Sequence, residues 1–481
     1  MSALATRRIG ARVVGRCARA GLALLAGGAF AAALAAPSIE VTPKEALEGE
    51  RVVVRIAGLA PGENVTLHAS RMWDRYPVGV EAYRGRASFA AAADGSIDTG
   101  TTPTAAGSSY DGADAAGLFW SMAPARRDAS GAHRAATLGL GDPAALGSGE
   151  VLLELESAGR IVARAEAKLR VLGPGVSVRE VREAGVVGVL AQGPSDQSRP
   201  AVLVLGGSEG GLFTARAIAP LLASHGYAVL GVGYFRGGET DLAPLPVSLE
   251  QVPLETLEVA RRWLLAQPGV AANRLAVVGI SKGAELALVA AATYPWVDAV
   301  AAFAPSHVVW EGVPVGRTGR GSGSSWTRAG RPLPFVPWSV AAEERGDRDR
   351  QVTGSSRLTD VHLESLAEAG AHVAPAAIAI ERSRAAMLLV AGIDDAMWPS
   401  AHAAAQLHAR LRAAGYARPV QLEYATTGHQ VLGTGWAPTT AFQRTAGRLQ
   451  GGAPALDAAA QARTWAALLA FLSAHLGGRA S

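Results

Sequence analysis

Residues Leu275–Leu288 read L-A-V-V-G-I-S-K-G-A-E-L-A-L. An apolar run of strand character, Leu275 to Ile280, leads into Ser281, and a helix-forming run rich in alanine and leucine, Lys282 to Ala292, follows it. Gly279, Ser281 and Gly283 satisfy glycine-x-serine-x-glycine, the pattern of a serine held on a strained strand-to-helix turn. Side chains at the two glycine positions would collide with neighbouring backbone, which gives the spacing its physical content. On such a turn the backbone N–H of Lys282 is the expected first oxyanion donor, reinforced by the partial positive charge of the helix N-terminus. The plain alternative makes Ser281 an ordinary helix N-cap.

Working outward, strands and helices alternate on both sides of this turn. A-V-L-V-L (Ala201–Leu205) reads as a buried strand, I-A-P-L-L-A-S-H-G as a helix ending at Gly226, and Y-A-V-L-G-V-G as the next strand. T-L-E-V-A-R-R-W-L-L is a helix, and further strands are expected at A-V-A-A-F-A, A-M-L-L-V-A-G and P-V-Q-L-E-Y-A, with a last helix over 458–476. Such alternation predicts a mainly parallel sheet flanked by helices, an α/β fold. Residues 312–359 are rich in glycine, serine, arginine and proline without a clear period, and read as a loop-rich excursion, a lid or a spacer.

A serine hydroxyl needs a base, and the base an acid to hold its tautomer. In this fold the chain order is serine, acid, histidine. His402 and His408 fall on an expected amphipathic helix and His475 on the last one. His429, in Y-A-T-T-G-H-Q, follows a strand on a loop able to face the serine. The stretch M-L-L-V-A-G-I-D-D-A-M-W-P offers Asp394 and Asp395 at a strand end. Asp395, fourth in a G-x-x-D turn, is preferred, with Asp394 the alternative. The loop G-G-S-E-G-G (Gly206–Gly211) follows the strand Ala201–Leu205 and is expected to supply the second oxyanion N–H, at Ser208. Its glycine spacing is neither a dinucleotide fingerprint nor a P-loop, and no metal-ligand spacing stands out, so no cofactor and no metal are expected.

The first part of the chain has another period. R-V-V-V-R-I, N-V-T-L-H-A and V-L-L-E-L-E alternate apolar and polar residues between turn signals such as P-G-E-N and A-D-G-S, which predicts a β-sandwich over 37–172 ahead of the α/β part at 173–481. The aromatic stretch Gly107–Pro124 is assigned to the sandwich core or to a domain contact, with a substrate-facing role as the alternative.

At 481 residues the chain is long enough for two cores. Its charged fraction of 18% excludes a mainly disordered protein, and a net charge of +4 with scattered arginines and no basic helix gives no sign of a nucleic-acid partner. Arg7, Arg8, Arg12, Arg16 and Arg19 precede the apolar run Gly21–Ala36, which ends in A-A-L-A-A-P. This is the order of a secretory signal over residues 1–36, cleaved near Ala35 or Ala36. Its removal would take away Cys17, the one cysteine, and leave no stable membrane span. The mature chain is then exported, periplasmic or secreted; if the segment is not a working signal, it is cytoplasmic.

Several of these stretches together resemble the acyl-coenzyme A thioesterases related to bile acid-CoA:amino acid N-acyltransferase. They are F-A-A-A-A-D-G-S-I-D-T, the aromatic stretch Gly107–Pro124, G-G-S-E-G-G-L, A-R-A-I-A-P-L-L-A-S-H-G-Y-A-V-L, G-I-S-K-G-A-E-L-A-L, V-A-G-I-D-D-A-M-W-P-S and T-T-G-H-Q. The resemblance implies an Ig-like sandwich followed by an α/β-hydrolase domain, with a triad falling on Ser281, Asp395 and His429. It implies hydrolysis of a small-molecule acyl thioester to a free acid and coenzyme A. One branch of the family transfers the acyl group to glycine or taurine and uses a cysteine nucleophile; here the residue is serine, which favours water as acceptor. Tyr234–Asp241 keeps only part of the family pattern, and 312–359 looks enlarged. Two other readings stay open: an exported carboxylic-ester hydrolase using the same triad, and a non-catalytic envelope or ligand-binding protein on a hydrolase scaffold.

Overall fold

The computed structural model describes residues 36–477 apart from 76–78, 126–134, 136, 315–322 and 446. The expected secretory segment, Cys17 included, lies outside the described residues but for Ala36.

The alternating segments near the N-terminus pair into two sheets. Ser38–Thr42, Val53–Ala57 and Ile97–Asp98 make one; Glu45–Leu47, Arg160–Arg170, Glu150–Ser157, Asn64–Arg75, Gly79–Ala90 and Ala123–Pro124, in that spatial order, make the other. Period two puts one face of each strand inward, so Val54, Ile56, Leu67, Ala87, Phe89, Leu153 and Leu155 fill a common interior. Gly107–Pro124 adds Tyr110, Leu118, Phe119 and Trp120 to it.

The remainder is built on an eight-stranded sheet. Its spatial order is Ser177–Glu183, Val186–Gln192, Ala228–Val232, Arg199–Leu205, Val270–Ile280, Ala299–Phe303, Ala386–Gly392, Val420–Ala425. The first two pairings are antiparallel and the rest parallel. The central strands are buried along their length because helices cover both faces; Phe213–Ser224 and Pro454–Leu476 pack on one, Glu255–Leu265 and Lys282–Thr293 on the other. This is the α/β-hydrolase fold, and it brings the carboxyl ends of the parallel strands to one rim, where open α/β sheets bind ligands.

The two parts share core. Trp436, Ala441 and Ala458 of the C-terminal part are buried in the sandwich cluster, and Phe119 meets Trp436 with ring centroids 5.0 Å apart. Thr434 Oγ1 bonds Glu48 Oε1 at 3.3 Å, and Thr439 Oγ1 reaches the Trp120 carbonyl at 3.4 Å.

The excursion after the Ala299–Phe303 strand is more ordered than its composition suggests. It holds a short hairpin, Trp326–Arg328 with Arg331–Pro332, and a helix, Val340–Thr353, capped by Ser339 Oγ on the Ala342 amide at 3.1 Å. The helix escaped the periodicity reading because it has almost no apolar face: V-A-A-E-E-R-G-D-R-D-R-Q-V-T buries only Ala342 and Gly346. The cap at Ser339 and the left-handed Gly354 at its end were the legible signals.

Candidate active site

Each candidate residue stands just past the end of a parallel strand. Ser281 follows Val270–Ile280 and has φ 58° and ψ −124°, a conformation that L-residues avoid. Its amide is held by the Phe303 carbonyl at 2.9 Å, and its hydroxyl makes no capping bond to the helix it precedes. The turn is possible because the backbone crowds in. A Cβ on Gly279 would come within 2.1 Å of the Gly283 carbonyl oxygen, and one on Gly283 within 2.3 Å of the Leu205 and Gly206 carbonyl oxygens. The same packing lays Gly206–Gly211 alongside the serine: a Cβ on Gly207 would sit 3.2 Å from Ser281 Cβ. Glu209 fixes that loop from within, its Oε1 accepting the Gly207 amide at 2.9 Å and the Thr214 hydroxyl. The Tyr234 hydroxyl donates to the Gly206 carbonyl, and burial raises its pKa well above the ordinary phenol value.

His429 and Asp395 meet. His429 Nδ1 lies 2.9 Å from Asp395 Oδ2 and 3.0 Å from Oδ1, both side chains buried. A carboxylate with this many donors is an acceptor: the Met397 and Trp398 amides reach Oδ1 at 2.9 and 3.2 Å, and the Ser400 hydroxyl reaches Oδ2 at 2.7 Å. Nδ1 therefore carries the proton, and Nε2 of a neutral ring is left with its lone pair. The His429 amide donates to Gln450 at 2.8 Å, which pins the loop. Asp394 points elsewhere, to Arg357 at 3.0 Å and the Gly452 amide at 2.9 Å. His402 and His408 lie on the helix Ser400–Ala413, and His475 lies against Phe471 on the last helix.

Ser208, Ser281, Lys282 and His429 line one cavity of about 710 Å³. Trp338, Val340, Leu358, Val361, Met397 and Trp398 give it an apolar wall, and Glu343, Glu344, Asp347, Arg350 and Arg448 a charged margin. The helix Val340–Thr353 of the excursion supplies much of that margin. Among the described residues no group of three or more His, Cys, Asp or Glu could hold a metal ion.

Two features are absent from the sequence reading. The elbow pattern singles out Lys282 only for its amide, yet its ammonium is buried between Glu285, at 2.7 and 2.8 Å, and Ser325 Oγ at 2.8 Å. Glu285 also accepts the Trp326 indole N–H at 2.7 Å and the Trp310 amide at 3.2 Å. Burial pulls the Lys282 pKa down and pushes that of Glu285 up, each opposed by the other's charge. Charged residues three apart in an otherwise apolar helix were the available signal. His362, on Leu358–Ala369, follows the serine in chain order but precedes both candidate acids, so the order serine, acid, histidine does not point to it; it lines the cavity. Burial takes its pKa down to about 3.

The chain is similar to known proteins over most of its length. A family model described as the BAAT/acyl-CoA thioester hydrolase C terminal matches residues 252–478, and one for the acyl-CoA thioester hydrolase/BAAT N-terminal region matches 49–183. A dienelactone hydrolase family model matches 187–312. Acyl-coenzyme A thioesterase 6 of Mus musculus is 28% identical over 440 residues, 89% of this chain and 94% of its own. Peroxisomal succinyl-coenzyme A thioesterase of the same species is 27% identical over 450 residues, 92% and 96% respectively. Its acyl-coenzyme A amino acid N-acyltransferase 1 is 28% identical over 448 residues, 90% and 97%.

Proposed function

Since the chain belongs to the acyl-CoA thioester hydrolase/BAAT family, we propose that it is a serine thioesterase, hydrolysing an acyl-CoA or related acyl thioester to a carboxylic acid and a thiol. The observation that carries this reading is the bond from His429 to Asp395, on the cavity that Ser281 also lines.

In the proposed reaction His429 Nε2 takes the Ser281 proton as Oγ attacks the thioester carbonyl carbon. The negative charge that develops on the carbonyl oxygen meets the amides of Lys282 and Ser208; the Lys282 amide, at the first turn of its helix, has no intrahelical acceptor. Collapse breaks the carbon–sulfur bond, and the proton on Nε2 goes to the departing thiolate. Water, giving its proton to His429, then attacks the acyl-enzyme; the serine regains that proton and the acid leaves. Asp395 keeps Nδ1 protonated throughout and steadies the imidazolium.

We also propose export of the mature chain, on the charged, apolar and small-residue order of residues 1–36. Among the described residues no helix is long and apolar enough to cross a membrane.

The test pairs the purified protein with Ser281→Ala on acyl-CoAs of graded length and on oxygen esters of the same acids. Thioester turnover lost in the variant is the expected result. Turnover of oxygen esters alone would replace the reading with a carboxylic-ester hydrolase, and no turnover of either with tight ligand binding would end the enzymatic reading. Mass spectrometry of the mature N-terminus checks export, with a start near Pro37 expected.

A further inference from the structure

The wall of the cavity beside His429 is aromatic. Trp398 meets His429 edge-on at 6.1 Å, and His362 packs among Trp338, Trp310 and Trp398 with ring centroids 4.4, 4.7 and 5.9 Å away. Two of these rings have their polar atoms turned inward: Trp310 Nε1 donates to Ser306 Oγ and Trp398 Nε1 to the Ala304 carbonyl, each at 3.0 Å. His362 differs. Its Nδ1 lies 2.8 Å from the Leu358 carbonyl, which only accepts, so Nδ1 is the protonated nitrogen. Among the described residues Nε2 has no hydrogen-bond partner. With Nδ1 taken, Nε2 is the polar atom of this cavity-lining ring left for a ligand.

We propose that His362 is a specificity-determining residue, whose Nε2 accepts a hydrogen bond from an N–H or O–H donor carried by the bound acyl ester or thioester. The proposal rests on the hydrolase reading for the identity of the ligand. The ring is suited to the task because burial keeps it neutral, so it offers a fixed lone pair and no proton. Leu358, Val361 and Met397 line the cavity too, so a ligand without a donor would desolvate Nε2 with nothing in return. A site of this kind discriminates against the donor-less analogue far better than apolar contact discriminates one chain length from the next. The donor has two possible sources. One is an amide N–H in the thiol portion, the other a hydroxyl on the acyl chain.

Three non-hydrolysable thioethers separate these sources by calorimetric Kd, which requires no turnover and so stands apart from the outcome of the hydrolysis test. They are the octyl thioether of N-acetylcysteamine, its N-methylated amide lacking the N–H, and the 2-hydroxyoctyl thioether of that N-methylated amide. The wild-type protein is expected to bind one of the two donor-bearing compounds roughly tenfold more tightly than the donor-less one, and which one it is names the source. His362→Phe should erase that preference. His362→Gln, whose amide reaches as far as Nε2, should keep most of it. Equal affinity of the wild type for all three compounds, failure of all three to bind, or a His362→Phe loss of the same factor on each would overturn the proposal.

Discussion

The ammonium of Lys282, one residue past Ser281, lies 2.7 Å from Glu285 Oε2, with both side chains withdrawn from solvent. Ser325, Trp326 and Trp310 close around the pair, so it ties the start of the elbow helix to the excursion that carries the cavity margin. Two buried charges hold each other there at a desolvation cost, which makes the loss of one alone the sensitive change. Glu285→Leu should destabilise the protein by about 3–5 kcal/mol. The double variant Lys282→Met/Glu285→Leu should recover part of that, since it leaves no charge buried alone. Denaturant midpoints measure both, and a Glu285→Leu protein as stable as wild type would show the pair to be inert.

Asp395 and Asp394 are neighbours with opposite surroundings. Asp395→Asn keeps the size but presents either a donor or a weaker acceptor to Nδ1, so the imidazole loses its proper tautomer. Turnover should fall by about 10³–10⁴. Asp394→Asn weakens a contact to Arg357 whose two side chains are 57% and 39% exposed, and should change turnover by about twofold at most. The two rates, measured side by side, decide between the carboxylates; equal losses would remove Asp395 from its role.

Gly283→Ala places a methyl group where carbonyl oxygens of Leu205 and Gly206 already stand, 2.3 Å away. Because those atoms are backbone, the helix and the glycine loop must separate. The amides of Lys282 and Ser208, the proposed oxyanion donors, would then be moved apart. A stability loss of about 1–3 kcal/mol is expected, with kcat/KM lower by about 10²-fold or more. Full activity in a folded Gly283→Ala protein would argue that the loop takes no part in oxyanion binding.

Two histidines, His362 buried and His307 half-buried, set an acid limit. Burial, assisted for His307 by His402 and Arg410, lowers the pKa of His307 to about 4, and burial takes His362 to about 3. Both folded values lie below that of the unfolded chain, about 6.5. Above pH ~6.5 both rings are neutral in either state and their full contribution is present. As pH falls below that, the unfolded chain takes up protons first, and stability drops by up to about 1.4 kcal/mol per pH unit for each ring until its folded pKa is reached. Urea midpoints at pH 7 and pH 5 should show the decline, and His362→Phe should make it shallower, leaving the share of His307. An unchanged slope in that variant would mean that His362 is not held neutral.

The sequence was most informative where the chemistry is local. The alternation that made strands of Ala201–Leu205 and Ala386–Gly392, the glycines around Ser281, and the placing of His429 and Asp395 after strand ends all follow from residue spacing, since pleat, turn sterics and chain direction act over a few residues. The helix Val340–Thr353 did not show, because a helix without an apolar face carries no period.

What the sequence determined by itself was the two-part architecture, the elbow, and a short list of acids and bases. Tertiary structure alone decided that Asp395 rather than Asp394 faces the imidazole, that Lys282 and Glu285 face each other in the interior, and that His362 lines the cavity with its Nδ1 tied to the Leu358 carbonyl. Residues 34 positions apart, as Asp395 and His429 are, become neighbours only when separate strands end at the same rim of one sheet. That convergence comes from the packing of the whole core against its helices, and no stretch of the chain encodes it alone.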